Sequence, residues 1–158
     1  MGNRAVILAY DTTPENANSK IGVYVHWHGS KESIQEFLDE AKRRQIRTLD
    51  EDQSYFWARF VQTVTDMITE EDKEYCKSSG IERNCYECSV GCDVVTNLDT
   101  HNYDNGVYYI KDFEIVKHTD GSEFDMPEPQ ELTDEEERAL TPCKTLDLTP
   151  LAILAMIL

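Results

Sequence analysis

The stretch RAVILAY, residues 4–10, is rich in apolar residues and is followed by the turn-prone run DTTPENANSK. This pattern predicts a first β-strand that ends at a loop. The next apolar stretch, IGVYVHWHG at 21–29, alternates with the period of two that is typical of a half-buried strand. The two stretches predict an antiparallel hairpin with a long loop. In the second strand, one face would carry Ile21, Val23, Val25 and Trp27, and the other Tyr24, His26 and His28.

Helical periodicity follows the predicted hairpin. In SKESIQEFLDEAKRRQ, residues 30–45, Ser30 is placed to cap the helix N-terminus. The apolar residues of this helix have the i, i+3, i+4, i+7 spacing of one buried face: Ile34, Phe37, Leu38 and Ala41. A second helix, at 52–68, starts after Asp50 or Asp52. Its apolar stripe, which we interpret as core rather than as a cofactor site, consists of Trp57, Phe60, Val61, Val64, Met67 and Ile68.

Two further segments, DVVTNL at 93–98 and GVYYIKDFEIVKH at 106–118, are typical of β-strands. The polar loop between them contains Asp104 and the pair Asn105–Gly106, which suits a tight turn with positive φ. The pattern therefore predicts an α+β core domain over residues 1–117, with a small antiparallel sheet packed by two helices.

The composition changes in the last part of the chain. Residues 120–137 carry nine acidic side chains and no Lys or Arg, with two prolines among them. Such a segment cannot bury enough apolar surface to fold alone, so we predict an acidic C-terminal arm with short helical segments over 118–158. Two interpretations stay open: a solvated tail that maintains solubility, or an arm that steers the protein onto a basic surface.

The chain of 158 residues has 31 acidic and 15 basic residues, a net charge of −16. Binding to phosphate backbones or anionic lipid heads requires clustered Lys and Arg, so direct nucleic-acid binding and membrane binding are disfavoured. The partner favoured by this charge is a basic protein surface. We expect a cytoplasmic protein, because the first apolar run is too short for a signal peptide and no stretch reaches about 20 apolar residues.

Four of the five cysteines lie within residues 74–93, in the spacing C-x8-C-x2-C-x3-C, and the fifth is Cys143. In a reducing cytosol grouped cysteines hold metal more often than they form disulfides. The segment is polar, so an ion would have to order it, and a closed four-sulfur site is structural rather than catalytic. We therefore predict an inserted zinc knuckle; free or buried thiols and disulfides stay open as alternatives. The predicted ligands of this structural Zn²⁺ are Cys76, Cys85, Cys88 and Cys92.

Other candidate chemistry is weaker. His26 and His28 could hold a metal, although histidines on a half-exposed strand are more often packed or hydrogen-bonded. His101 could replace one sulfur ligand, and Cys143 has no flanking histidine to make it a nucleophile. The sequence contains no phosphate-binding glycine loop, no G-x-S-x-G and no H-E-x-x-H. We therefore predict that the protein is not an enzyme.

Four stretches together resemble a family of small proteins from phages and prophages of Gram-positive bacteria: MGNRAV at 1–6, IGVYVHWHG at 21–29, ARFVQTV at 58–64 and NLDTHNYDNGVYYIKDFEIV at 97–116. The likeness covers about residues 1–117, and its most specific parts are HWHG (26–29) and NYDNGVYYIKDFEIV (102–116). Typical members lack the cysteine segment 74–93, which is an insertion in this chain, and the pair TH at 100–101 also differs from the usual pattern.

A metal-containing variant of this type resembles a type II-A anti-CRISPR protein. The resemblance implies a phage-encoded inhibitor that acts in the host cytoplasm. Its partner would be the type II CRISPR RNA-guided nuclease, bound at the recognition lobe so that loading of target DNA is hindered. That enzyme holds its heteroduplex in a positively charged channel, with which a strongly acidic protein is compatible. The alternative is a structural zinc-binding phage or prophage adaptor that acts on another host protein.

Overall fold

The computed structural model describes residues 2–81 and 90–124. Within these ranges the chain forms two α-helices, five β-strands and three short 3₁₀ turns, which confirms the α+β class. The strands are β1 (Ala5–Ala9), β2 (Ile21–Val25), β3 (Val90–Val94), β4 (Val107–Lys111) and β5 (Glu114–Thr119). The helices are α1 (Lys31–Arg43) and α2 (Gln53–Ser79), and the 3₁₀ turns are Ala17–Ser19, Val95–Asn97 and Ser122–Phe124. The predicted acidic arm is described only as far as 124, and the rest of it lies outside the described residues.

The five strands form one sheet in the order β3-β2-β1-β4-β5. β1 pairs antiparallel with β2, with Ile7 opposite Val23, which confirms the predicted hairpin. β1 also pairs with β4, and this pairing is parallel, with Ile7 opposite Tyr108. The sheet is therefore mixed, and the prediction of an antiparallel sheet was wrong. The chain between β1 and β4 contains β2, both helices and β3, and a connection of this length allows β4 to run in the same direction as β1.

Strand β1 is buried on both of its faces, since none of its residues exposes more than 1% of its surface. Ala5, Ile7 and Ala9 face the core beneath the helices, whereas Val6 and Leu8 face a second, smaller core. A strand that pairs in parallel and is covered on both faces has a continuous apolar sequence rather than an alternating one. This is the physical reason for the run RAVILAY.

Both helices cover one face of the sheet. The Ser30 side chain accepts a hydrogen bond from the Ser33 N–H at 3.2 Å, which confirms the predicted cap of α1. The predicted apolar face of α1 is buried in full. In α2 four members of the predicted stripe are buried, Val61 and Met67 are partly buried, and Phe56, which the prediction omitted, stacks on Phe60 with ring centroids 5.4 Å apart.

The opposite face of the sheet is covered by short turns instead of helices. Ala17 and Val95, each from a 3₁₀ turn, pack there with Val6, Leu8, Val107 and Tyr109. The segment 93–98, predicted as a strand, is therefore divided: β3 ends at Val94, and the 3₁₀ turn Val95–Asn97 follows.

The cysteine segment differs from the predicted polar loop. Helix α2 continues to Ser79, where Gly80 ends it in the left-handed conformation at φ 65°. Cys76 is therefore a helical residue, and Cys92 is a strand residue on β3. The predicted ligands Cys85 and Cys88 lie outside the described residues. Among the helices that the structure describes, none is long and apolar enough to cross a membrane.

The segment 106–118 is a hairpin rather than one continuous strand. Asp112 and Phe113 both adopt left-handed backbone conformations, with φ of 49° and 67°, and these turn the chain from β4 into β5. Such a conformation is costly for a bulky residue. Here the Phe113 ring is buried in the helical core, 6.0 Å from the Phe56 ring, and this burial offsets the cost.

Because Ile7 is fully buried at the centre of the sheet, its replacement by alanine should leave a cavity. We expect Ile7→Ala to lower the free energy of unfolding by about 2–5 kcal/mol, measured by urea denaturation. The matched control is Val116→Ala on β5, where the side chain is 54% exposed and the loss should stay within about 0.5 kcal/mol. Equal effects of the two substitutions would contradict the central position of β1.

Candidate functional site

Three stretches of the family resemblance, distant in sequence, meet at the N-terminal end of β1. We call this place, formed by residues 2–4, 26–29 and 99–106, the loop junction. The Asn3 N–H donates to the His26 carbonyl at 3.1 Å, and the Gly29 N–H donates to the Asn3 carbonyl at 2.7 Å. The Asn105 N–H donates to the Arg4 carbonyl at 3.1 Å. Residues 3 and 4 thus join HWHG to NYDNG by hydrogen bonds.

The junction depends on a close approach of backbone at Gly29. A Cβ atom on Gly29 would lie 2.5 Å from the Asn3 carbonyl oxygen and 2.7 Å from the Arg4 carbonyl carbon. Real side chains do not tolerate such distances to backbone, so only glycine fits there. On the other side of the junction, the Asn105 side-chain amide donates to both the Asn3 side chain and the Arg4 carbonyl.

Asn102 fixes the conformation of the 99–106 loop. Its side chain is fully buried and accepts hydrogen bonds from the N–H groups of Asp104 and Gly106, both at 3.1 Å. It also donates to the Gly106 carbonyl at 3.1 Å. Gly106 has a φ of 66° and lies so close to Thr119 that a side chain would not fit. The buried amide of Asn102 therefore satisfies the hydrogen-bonding groups of the backbone in the turn that leads into β4.

Arg4 and Asp104 form a charged contact across the junction. The Arg4 Nε lies 2.8 Å from the Asp104 carboxylate, and the Arg4 N–H donates to the same oxygen at 3.1 Å. These hydrogen bonds, first from the side chain and then from the backbone, lower the pKa of Asp104 below its ordinary value. Asp104 is therefore ionised at neutral pH. Surface pairs of this kind contribute little stability, but they hold both side chains in one orientation.

A cleft of about 420 Å³ adjoins the loop. It is lined by His101, Tyr103, Asp104, Asn105, Gly106, His118, Thr119 and Asp120. The Tyr103 side chain is 85% exposed, and its ring centroid lies 4.5 Å from that of His101. The His118 ring stacks on Tyr108 at 4.2 Å with nearly parallel planes, and its Nε2 contacts the Asn105 carbonyl. The cleft therefore combines aromatic faces with two carboxylates.

Asp120 supplies the second carboxylate. It accepts hydrogen bonds from the Ser122 hydroxyl at 2.7 Å and the Ser122 N–H at 3.0 Å. These bonds lower the pKa of Asp120, so it is ionised at neutral pH. Among the described residues that line the cleft there is no Lys or Arg. Because Asp104 is paired with Arg4, the acidic character of the cleft comes mainly from Asp120, which interacts with His101.

The two described cysteines of the predicted zinc site lie on elements that pack together. Cys76 is buried on α2, and Cys92 lies on β3 directly opposite Val23. Residues opposite each other in an antiparallel pair project to the same face, so Cys92 projects toward the helical side, where α2 contacts β3. Among residues 2–81 and 90–124 no group of three or more metal-ligating side chains is arranged to hold an ion.

The predicted histidines lie in different surroundings. His26 and His28 follow the end of β2 instead of sharing its face. His26 Nδ1 lies 3.1 Å from the Tyr24 hydroxyl, and His28 Nδ1 lies 3.5 Å from the Glu71 carboxylate. His101, the possible substitute ligand, lies in the cleft against Tyr103. Cys143 is outside the described residues.

A second acidic surface lies on the later turns of α2. Its exposed carboxylates are Asp66, Glu70, Glu71 and Glu74. Tyr75 is 63% exposed on the same stretch. The contact between His28 and Glu71 joins this surface to the HWHG stretch, where Trp27 is 46% exposed. Asp66 pairs with Arg44 at 2.6 Å and Glu70 pairs with Lys73 at 2.7 Å, so part of the charge of this surface is compensated within the protein.

Sequence reasoning identified Asp104, Asn105 and Gly106 as a turn but missed the roles of Asn102 and Tyr103. The available signal was the density of Asn, Asp and Gly in this loop, residue types that adopt tight turns and left-handed conformations. Comparisons of the chain with protein-family models, curated proteins and solved structures found no match.

If Asn102 fixes the loop, its removal should be costly. We expect Asn102→Ala to lower the free energy of unfolding by about 2–3 kcal/mol, because the backbone groups of Gly106 would lose buried hydrogen bonds. Asn18→Ala, at an exposed position, is the control and should change stability by less than about 0.5 kcal/mol. Urea denaturation followed by fluorescence measures both, and a loss in Asn102→Ala no larger than the control would refute the role of the amide.

Proposed function

We propose that this protein is a phage-encoded anti-CRISPR inhibitor. It binds the type II CRISPR RNA-guided nuclease, through the recognition lobe of that enzyme, and hinders loading of target DNA. The observation that carries the proposal is the family resemblance together with its place in the fold. The most specific stretches, at 26–29 and 102–116, are joined by hydrogen bonds through Asn3 and Arg4. They therefore form one continuous structural feature.

The charge of the protein supports a partner of this kind. The nuclease holds nucleic acid through Lys and Arg in a positively charged channel. The net charge of −16 and the exposed cleft with its carboxylates favour association with such a surface. Carboxylates would occupy positions that phosphates otherwise take. Inhibition should weaken as salt rises, since exposed charges are screened beyond about 8–10 Å.

The mechanism we propose is that the protein occupies a surface of the nuclease and catalyses no reaction. In this mechanism the loop junction and the cleft contact the nuclease directly, and no substrate is converted. An inhibitor of this kind acts in stoichiometric amounts, and its effect depends on reaching the nuclease before the target DNA does.

We further propose that Cys76, Cys85, Cys88 and Cys92 hold a structural Zn²⁺. The support is that Cys76, which is buried on α2, and Cys92, which is exposed on β3, lie on elements that pack together although they are distant in sequence. An ion held there would fasten the end of α2 to β3. A closed four-sulfur site would stabilise the fold and leave no position for a substrate.

The alternative function is a zinc-binding phage or prophage adaptor that acts on another host protein. The specific observation in its favour is the grouping of four of the five cysteines within residues 74–93. Affinity capture from a host lysate separates the two proposals by the partner that is recovered.

The inhibitor proposal predicts loss of DNA cleavage. When purified protein is added in excess to the nuclease before target DNA, cleavage should fall well below the uninhibited level, as measured by gel electrophoresis of a labelled duplex. Addition after the DNA should have less effect, because the channel is then occupied. An unrelated acidic protein of similar size and charge controls for non-specific competition. Undiminished cleavage in every order of addition would rule the proposal out.

The zinc proposal predicts about one zinc per chain by elemental analysis. A chelator should increase hydrogen exchange in residues 74–93 before it affects β1, because the core of apolar side chains does not depend on the ion. The replacement Cys88→Ser should reduce the zinc content, whereas Cys143→Ser, the matched control outside the motif, should not. Protein purified without added chelator that contains no metal would contradict the site.

A further inference from the structure

The cleft beside Tyr103 has the shape and charge to receive one side chain of a partner. We infer that it docks an arginine of the nuclease. This inference rests on the proposed function and adds to it the contact surface and the chemistry of the group that is contacted.

Tyr103 is presented in a way that favours recognition. Its side chain is 85% exposed, the largest exposure among the described large hydrophobic residues. Its backbone is left-handed at φ 57°, a conformation that the hydrogen bonds of the Asn102 side chain to Asp104 and Gly106 help to hold. A tyrosine on a rigid loop loses little conformational entropy on binding and contributes a large contact area. Such residues are enriched among the energetically dominant contacts of interfaces.

The rings of Tyr103 and His101 suit a guanidinium group. A planar guanidinium stacks on an aromatic face, where the π electrons attract its charge. The protein itself contains such a contact, since the Arg47 guanidinium carbon lies 4.7 Å above the centre of the Tyr55 ring. Lysine would gain the charge attraction but not the planar stacking, so arginine is the better fit.

Asp120 completes the recognition. Its carboxylate lines the same cleft, where no Lys or Arg is among the described lining residues and His101 is the lining group that interacts with it electrostatically. Because two of its hydrogen bonds come from Ser122, the carboxylate is held in a fixed position. A carboxylate pairs with arginine by short, charge-assisted hydrogen bonds. The same charge repels phosphate, so nucleic acid is not the occupant.

The acidic surface on α2 provides an internal comparison. Tyr75 is also exposed, at 63%, and it also lies among carboxylates. Tyr75 is on a regular helix, however, and it does not line the cleft. Tyr75 is therefore the matched control for Tyr103.

The experiment measures the dissociation constant of each variant for the guide-loaded type II-A nuclease. We expect Tyr103→Asn to weaken binding about tenfold, since loss of a stacked cation–π contact costs of this order. Asparagine is chosen because it tolerates a left-handed backbone. Asp120→Asn should weaken binding at least about threefold. Tyr103→Phe, which keeps the ring, and Tyr75→Asn should both stay within about twofold of the wild type.

The outcomes are distinguishable. If the wild-type protein does not bind the nuclease, the proposed function fails, and the docking inference fails with it. If the wild type binds while Tyr103→Asn and Asp120→Asn bind equally well, only the docking inference is overturned. Thermal denaturation of each variant verifies the fold. If Tyr103→Asn fails to fold, Asp120→Asn still decides the question.

Discussion

Complete burial of β1 is the constraint on which the rest of the structure depends. None of its residues exposes more than 1% of its surface, so its backbone groups have no water to bond with and require a strand on each edge. β2 supplies one edge and β4 the other. Its two apolar faces also need separate covers, which are the helices on one side and the 3₁₀ turns on the other. The parallel pairing with β4 then brings the loop before β4 next to the N-terminal end of β1, and the loop junction is a consequence of this arrangement.

The loop junction is held together by polar groups that form hydrogen bonds with backbone N–H and carbonyl groups. Asn102, Asn105 and Asn3 satisfy N–H and carbonyl groups that the ends of the strands leave open. Because these groups are satisfied within the protein, the loop has a fixed conformation, and the exposed ring of Tyr103 is held on it at the edge of the cleft.

Local features of the fold could be predicted from the sequence, whereas long-range ones could not. Ser30 and the buried face of α1 follow from spacing within one helix, and both predictions are confirmed. The extension of α2 to Ser79 was missed, because its last turns are mostly polar and show no apolar stripe. The parallel partner of β1 was missed because it lies about a hundred residues away. The turn at Phe113 depends on burial of its ring against Phe56, which is a tertiary contact. The place of Tyr103 in the cleft could not be predicted either, because residues 118–120 line the same cleft only through the tertiary fold.

The glycine at position 29 and the exposed tyrosine at position 103 differ in how freely their residue can be replaced. Any side chain at Gly29 would collide with the backbone of residues 3 and 4, so this position cannot vary without loss of the junction. The ring of Tyr103 supports no core packing, and other residues that accept a left-handed backbone could stand there. The tip of the loop can therefore change in sequence while its frame stays constant, so the surface of the cleft can diverge without a new fold.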